Sequence, residues 1–144
     1  MAEARRDDVV RIMKSMDICF MVTKDDRGGG GALCSRPMSN NAQVDWDGDN
    51  WFFTNGQTRK LRQLEADPAV ELNFAGEKDW VALRGAAKLH RDDKALFEKH
   101  WSKDIDRWFP EGIDTPGLVL IQVTAHEAEL WGAGGEGVVA LGHG

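Results

Sequence analysis

The chain has 144 residues, 42% of them hydrophobic and 29% charged, and a formal net charge of −6. That length suits one domain able to bury about 68–70% of its unfolded surface, and the apolar fraction excludes a disordered chain. With 18 Lys and Arg against 24 Asp and Glu, the field repels phosphate backbones and excludes nucleic acid as a partner, although a local basic pocket can still hold one small anion.

No apolar run approaches the ~18 residues of a membrane span, and residues 18–22 are too short for a secretory leader. The expectation is a cytoplasmic protein with no membrane partner and with Cys19 and Cys34 reduced. The two cysteines flank a glycine turn and read as small apolar residues on paired strands. Six Trp without a single Tyr are the oddity of the composition.

Residues 5–16 place Val9, Val10, Ile12, Met13 and Met16 at helical spacing behind Asp7 and Asp8, which predicts an amphipathic helix. Residues 18–23 form a short β-type run that breaks at Gly28 to Gly31, read as a hairpin tip. A second run, 32–46, ends at Asp47-Gly48-Asp49-Asn50 and is followed by Trp51-Phe52-Phe53-Thr54. An Asp-Gly pair between two such runs predicts a hairpin joining them.

Thr58 is a candidate N-cap for a helix over 58–66, stopped by Asp67-Pro68. Strands follow at 70–74 and 80–89 on alternating patterns. A capped helix spans 92–101, with Leu96, Phe97, His100 and Trp101 inward, and a loop leads to a last strand at 118–131. About six strands with predominant hairpins predict a mainly β fold, a small antiparallel barrel with short helices at its ends. The domain spans 1–132, and 133–144 reads as a glycine-rich tail, mobile or ordered only by a partner.

Most catalytic motifs are missing. Gly28 to Gly31 open a strand, not the helix of a phosphate loop. Asp45, Asp47 and Asp49 share calcium-loop spacing, but Asn50 and Gly56 stand where Gly and Glu belong. His90, His100, His126 and His143 have no ligand-spaced partner, so no metal site is expected, and no side chain is assigned as a general acid or base.

The informative segment is 53–60, where a strand end meets a helix start carrying Thr54, Thr58, Arg59 and Lys60. Free N–H groups, the positive dipole end and two cations converge there on one anion site. Cations in a first turn oppose the dipole, so an anionic ligand is expected to compensate. Arg36, on the strand taken to pair across the hairpin, completes the clamp.

Ser35-Arg36-Pro37-Met38-Ser39, the hairpin, 51–55, Thr58-Arg59-Lys60 and 128–132 occur in an order that resembles the pyridoxamine 5′-phosphate oxidase-like FMN-binding split β-barrels, especially the general stress protein branch. The resemblance implies a six-stranded antiparallel split β-barrel, a homodimer, and FMN (with FAD as an alternative) in clefts at the subunit interface. It implies that Arg36 and Lys60 hold the flavin phosphate with Thr58 and Arg59. It further implies that Pro37 and Met38 border the ring, that Phe53 and Thr54 line it, and that Trp131 reaches it from the partner subunit. The chain also departs from true pyridoxamine-phosphate oxidases. Asn41 stands where they carry Lys, Trp80 where they carry Gln, and a glycine-rich run where their substrate grip lies. The expected function is therefore a flavin-dependent oxidoreductase or flavin reductase on another small molecule, with a non-enzymatic flavin-binding or sensing module as the alternative.

Overall fold

The computed structural model describes residues 6–25, 31–39, 48–132 and 136–141. The elements run α1 (Arg6–Lys14), β1 (Ile18–Lys24), β2 (Leu33–Ser39), β3 (Asp49–Asn55), α2 (Arg59–Ala66), β4 (Ala69–Ala75), β5 (Asp79–Arg91), α3 (Lys94–His100), β6 (Leu118–Gly132) and β7 (Gly137–Ala140). Two 3-10 turns, Lys103–Ile105 and Gly112–Asp114, lie between α3 and β6. The fold is mainly β with peripheral helices, as the alternation patterns predict.

One antiparallel sheet contains every strand, in the order β2-β1-β4-β5-β6-β3, with β7 also on β6. Among the described residues β2 and β3 do not pair, so the sheet stays open, consistent with a split barrel. Its inner face holds Met21, Leu72, Phe74, Leu83, Ile121 and Leu130, and α1 adds Val9, Ile12 and Met13 to the same core. A second cluster forms on the other face, where Phe53, Leu118 and Leu120 meet Phe97 of α3 and Ile105.

A single extra residue gives the longest ribbon its shape. Arg84 pairs with Glu127, but Gly85 pairs with Ala125, so His126 is inserted into β6 as a bulge. Before it the residues that face the main core are odd-numbered, Val119, Ile121, Val123 and Ala125, and after it even-numbered, Ala128 and Leu130, while Leu118 and Leu120 are buried on the other face. A side chain on Gly85 has no room, since an added Cβ would lie 1.9 Å from the carbonyl oxygen of Thr124. The bulge therefore keeps both halves of β6 facing the core while the ribbon bends.

Among the described residues β2 pairs with β1, from Ile18↔Ser39 to Lys24↔Leu33, and β3 pairs with β6, from Asp49↔Thr124 to Asn55↔Leu118; the stretch 40–46 that a turn at Asp47-Gly48 would set opposite β3 lies outside the described residues. Local turn chemistry gave no information about the partner that β3 finds, and β3 buries Phe52 on one face and Phe53 on the other against β6 and α3. The stretch read as a mobile tail contributes β7, whose Gly137 to Ala140 pair with Leu130 to Glu127, and Leu141 is buried. The cysteines lie on paired strands but four register positions apart, Cys19 opposite Met38 and Cys34 opposite Thr23. Residues 28–30, Asn41, Asp45, Trp46, Asp47 and His143 lie outside the described residues.

Gly85→Ala drives a methyl into backbone, which neither strand can relieve without losing register. We expect a loss of about 3 kcal/mol, measured by urea unfolding, whereas Gly112→Ala, where an added Cβ meets nothing within 4 Å, pays only for its positive φ.

Candidate functional site

β2 and β3, unpaired with each other among the described residues, meet at a cavity of about 250 Å³. Pro37, Met38 and Ser39 line it from β2, and Phe52, Phe53 and Thr54 from β3. Lys60, in the first turn of α2, forms the third side, and Ile105, Trp108 and Phe109 close the fourth. Five residues singled out from the sequence, Pro37, Met38, Phe53, Thr54 and Lys60, thus line one cavity.

The start of α2 is built to leave its donors open. Asn55 accepts the Gln57 N–H at 2.9 Å in an Asx turn, and the Gly56 N–H donates to the Gly117 carbonyl at 2.7 Å, which anchors the turn to the β6 entry. Thr58 is the N-cap residue, yet its hydroxyl donates to the Asn55 carbonyl at 3.1 Å and accepts nothing from the helix. At α3, by contrast, the Asp93 carboxylate accepts the Leu96 N–H at 3.1 Å. The first turn of α2 also lacks any acidic residue, while α1 places Asp7 and Asp8 there. An uncapped helix start with two cations conflicts with both the dipole and the capping rule.

The three predicted cations divide. The Arg59 guanidinium lies 3.3 Å from both carboxylate oxygens of Asp25 and 3.5 Å from Cys34 Sγ, so a carboxylate neutralises it. Arg36 faces neutral acceptors only: Met21 O at 3.2 Å, Thr23 Oγ1 at 2.8 Å and Gln63 Oε1 at 2.6 Å. Lys60 is half-buried and has no hydrogen-bond or ion-pair partner among the described residues. Burial, then the nearby Arg36 charge, pushes the Lys60 ammonium below its ordinary value, and burial likewise lowers Arg36. Among the described residues neither Arg36 nor Lys60 meets a carboxylate, and the two charges stand beside a helix start without a side-chain cap, an arrangement suited to a small anion.

Other expected residues lie elsewhere. Trp131 is 39% exposed and sits opposite Trp80, itself 42% exposed, on the outer face of the β5–β6 ribbon. It is 11 residues along β6 from Leu120, the partner of Phe53, about 36 Å of strand, and does not line its own chain's cavity. His90 and His100, far apart in sequence, both stack on Trp51, with centroids 6.0 and 3.7 Å away. Trp108 lines the cavity at 58% exposure, with the Arg107 guanidinium 5.1 Å from its ring centroid. Its loop carries no motif, so only the folded chain brings it to β2 and β3. Thr23 and Gln63 were also missed: their pattern reads as ordinary strand and helix positions.

Residues 4–143 match the family model described as pyridoxamine 5′-phosphate oxidase like. The chain belongs to that family. General stress protein 26 of Bacillus subtilis (strain 168) is a curated relative, 29% identical over 93 residues that make up 61% of this chain. The match covers 65% of that relative's length. A Clostridium acetobutylicum protein related to general stress protein 26 superposes with a TM-score of 0.79 at 22% identity, covering 94% of this chain and 93% of the other. General stress protein 26 of Bacillus anthracis str. Sterne gives 0.75 at 18% identity, covering 94% and 97%. At those identities the two structures establish the shared fold. In this family member no helix among the described residues is long and apolar enough to cross a membrane.

The lowered Lys60 value makes a stability prediction. A lysine whose folded value lies below its ordinary 10.5 disfavours folding while it is charged, and the penalty fades as pH rises towards that value. Lys60→Met is therefore expected to raise the melting temperature of the ligand-free protein at pH 7. The gap between variant and parent closes as pH approaches 10.5, followed by scanning calorimetry.

Proposed function

We propose that this family member binds FMN at the β2–β3 cavity and uses it as a flavin-dependent oxidoreductase. The observation that carries the reading is the pair of charges, Arg36 and Lys60, that meet no carboxylate among the described residues, beside the uncapped start of α2. A flavin 5′-phosphate supplies the dianion that these groups lack, with Thr58 available at the helix start. Arg59 joins only by sharing itself between Asp25 and the ligand.

The rest of the cavity suits a planar ring. Pro37, Met38 and Phe53 give an apolar floor, and Thr54 a hydroxyl. The edges of β2 and β3, unpaired among the described residues, offer backbone N–H and C=O groups to a heterocycle's polar rim. A flavin held there supplies hydride and electron transfer; the chain orients it and keeps water from one face. Trp108 and Phe109 flank the remaining opening, where a small acceptor would lie.

The cavity of one chain, about 250 Å³, falls below the ~300–1,000 Å³ usual for ligand sites. That shortfall supports a homodimer in which the second copy completes each site. The outer sheet face supports it too, since Ile18, Phe20, Trp80, Trp131 and Val138 are exposed there. Trp131 is the residue proposed to reach the partner's flavin. FAD fits the same phosphate receptor with its extra nucleotide outside, and the net charge of −6 favours neither nucleic acid nor an anionic membrane as partner. A cytoplasmic location belongs to the same reading.

A non-enzymatic flavin-binding module is the second reading. It is favoured by the lining itself, which among the described residues offers Ser39, Thr54 and Lys60 but no carboxylate or imidazole for proton transfer. Reduction of the bound flavin by NADH or NADPH, with onward transfer to an acceptor, separates the two.

Titration of the purified protein with FMN, followed by quenching of flavin fluorescence, is expected to give micromolar or tighter binding. Arg36→Ala and Lys60→Ala should each weaken it by ~1.5–3 kcal/mol. The absence of binding by the parent protein would remove the proposal.

A further inference from the structure

The guanidinium of Arg36 is held by a closed ring of neutral groups. Gln63 is completely buried, an amide between Leu61 and Leu64 on the core-facing side of α2. Its Oε1 accepts from Arg36 Nη2 at 2.6 Å and from the Thr23 hydroxyl at 2.6 Å. Thr23, 1% exposed, accepts from Arg36 Nη1 at 2.8 Å, which closes the ring. The Gln63 Nε2 group donates to Cys34 Sγ at 3.4 Å, so neither end of the amide is idle.

Buried polar groups are tolerated when they are satisfied, but satisfaction does not explain why this one is an amide. A glutamate of the same length could accept both bonds. It would also neutralise the guanidinium, and the charge presented to a ligand would vanish. A leucine would keep the packing and leave Arg36 and Thr23 without their acceptor. The neutral amide fixes the guanidinium and leaves its charge intact.

The ring also selects which donors remain. An arginine has five N–H groups. Two bonds from Nη1 and one from Nη2 use three of them. The Nε–H and the second Nη2–H are left, and they are the adjacent pair that forms a two-pronged fork to a phosphate or carboxylate. We infer that Gln63 and Thr23 are positioning residues that hold Arg36 charged and fork-outward, and so set the preference of this site for a phosphorylated over an unphosphorylated ligand. The inference deepens the proposed flavin reading and rests on it for the identity of that ligand.

The test compares FMN with riboflavin, which differ only by the phosphate, in the parent protein, Gln63→Glu and Thr23→Val. Melting temperatures are recorded alongside in inorganic phosphate and in chloride of equal ionic strength. The parent is expected to bind FMN at least 100-fold more tightly than riboflavin and to melt higher in phosphate. Gln63→Glu should lose at least tenfold in FMN affinity with riboflavin affinity unchanged, and should lose the phosphate effect. Thr23→Val should move the same way by a smaller factor. A purely structural role would weaken both ligands together. If the parent discriminates and both variants keep its FMN-to-riboflavin ratio, the positioning role is overturned and the flavin reading stands. If phosphate stabilises the parent and not Gln63→Glu, but no flavin binds, the flavin reading falls and the positioning role survives. A parent indifferent to both FMN and phosphate overturns both.

Discussion

The β5–β6 ribbon pairs residues 79–91 with 119–132, and the other strands attach to it directly or in series. β4 follows on β5 and leads to β1 and β2, while β3 and β7 share the far edge of β6. Where the ribbon bends decides where the two terminal strands end up. The bend is set by His126, the inserted residue, and by the contact that forbids a side chain at Gly85. Because the inserted residue shifts the inward parity, the ribbon turns without exposing Leu130 or Ala128. An open sheet whose two edges converge on one cavity follows from that single irregularity.

Open edges are a hazard in most β proteins, since unpaired N–H and C=O groups invite aggregation. Here the edges run beside α2 and the loop carrying Trp108 and Phe109, which restrict what can approach. The local charges work in the same direction. Like charges at Arg36 and Lys60, half-withdrawn from water, oppose folding of the ligand-free chain. The core of α1, β1, β4, β5 and β6 carries that cost elsewhere. Strain of this kind concentrates at binding sites because selection keeps it only where a ligand relieves it.

Much of this was legible in the sequence, and the reason differs by residue. Strand and helix positions were recoverable because burial alternates cleanly, as in Val70, Leu72 and Phe74, or recurs at helical spacing, as in Leu61 and Leu64. Lys60 was legible because a cation in a helix's first turn breaks a local rule, and Thr58 because its residue type suits an N-cap, although the folded chain leaves that cap idle. Pro37, Met38, Phe53 and Thr54 followed from the family resemblance. What stayed hidden depends on contacts distant in sequence. β3 pairs with β6 across some 70 residues, as in Asp49↔Thr124, and an Asp-Gly pair says nothing about that. Gln63 meets Arg36 across 27 residues, and a buried glutamine on an amphipathic helix looks like an exposed one until the helix is docked. β7 lacks a strand pattern of its own, and its pairing is imposed by the free edge of β6.

The two ends of the cavity differ in how far one chain completes them. At the cationic end, Arg36, Thr23, Gln63 and the start of α2 are tied to three separate elements by short hydrogen bonds, so its geometry is fixed before any ligand arrives. At the other end Trp108 stands 58% exposed on a loop of 3-10 turns, and among the described residues none of β6 lines the cavity. Under the flavin reading, a ligand would be anchored by a prepared phosphate receptor, while its ring would meet a surface that a second chain must finish. Binding energy would then be concentrated at the end remote from the reacting atoms, and the ring end would be free to vary among relatives. A fold that keeps the anchor and changes the wall can pass from one redox substrate to another without rebuilding its core.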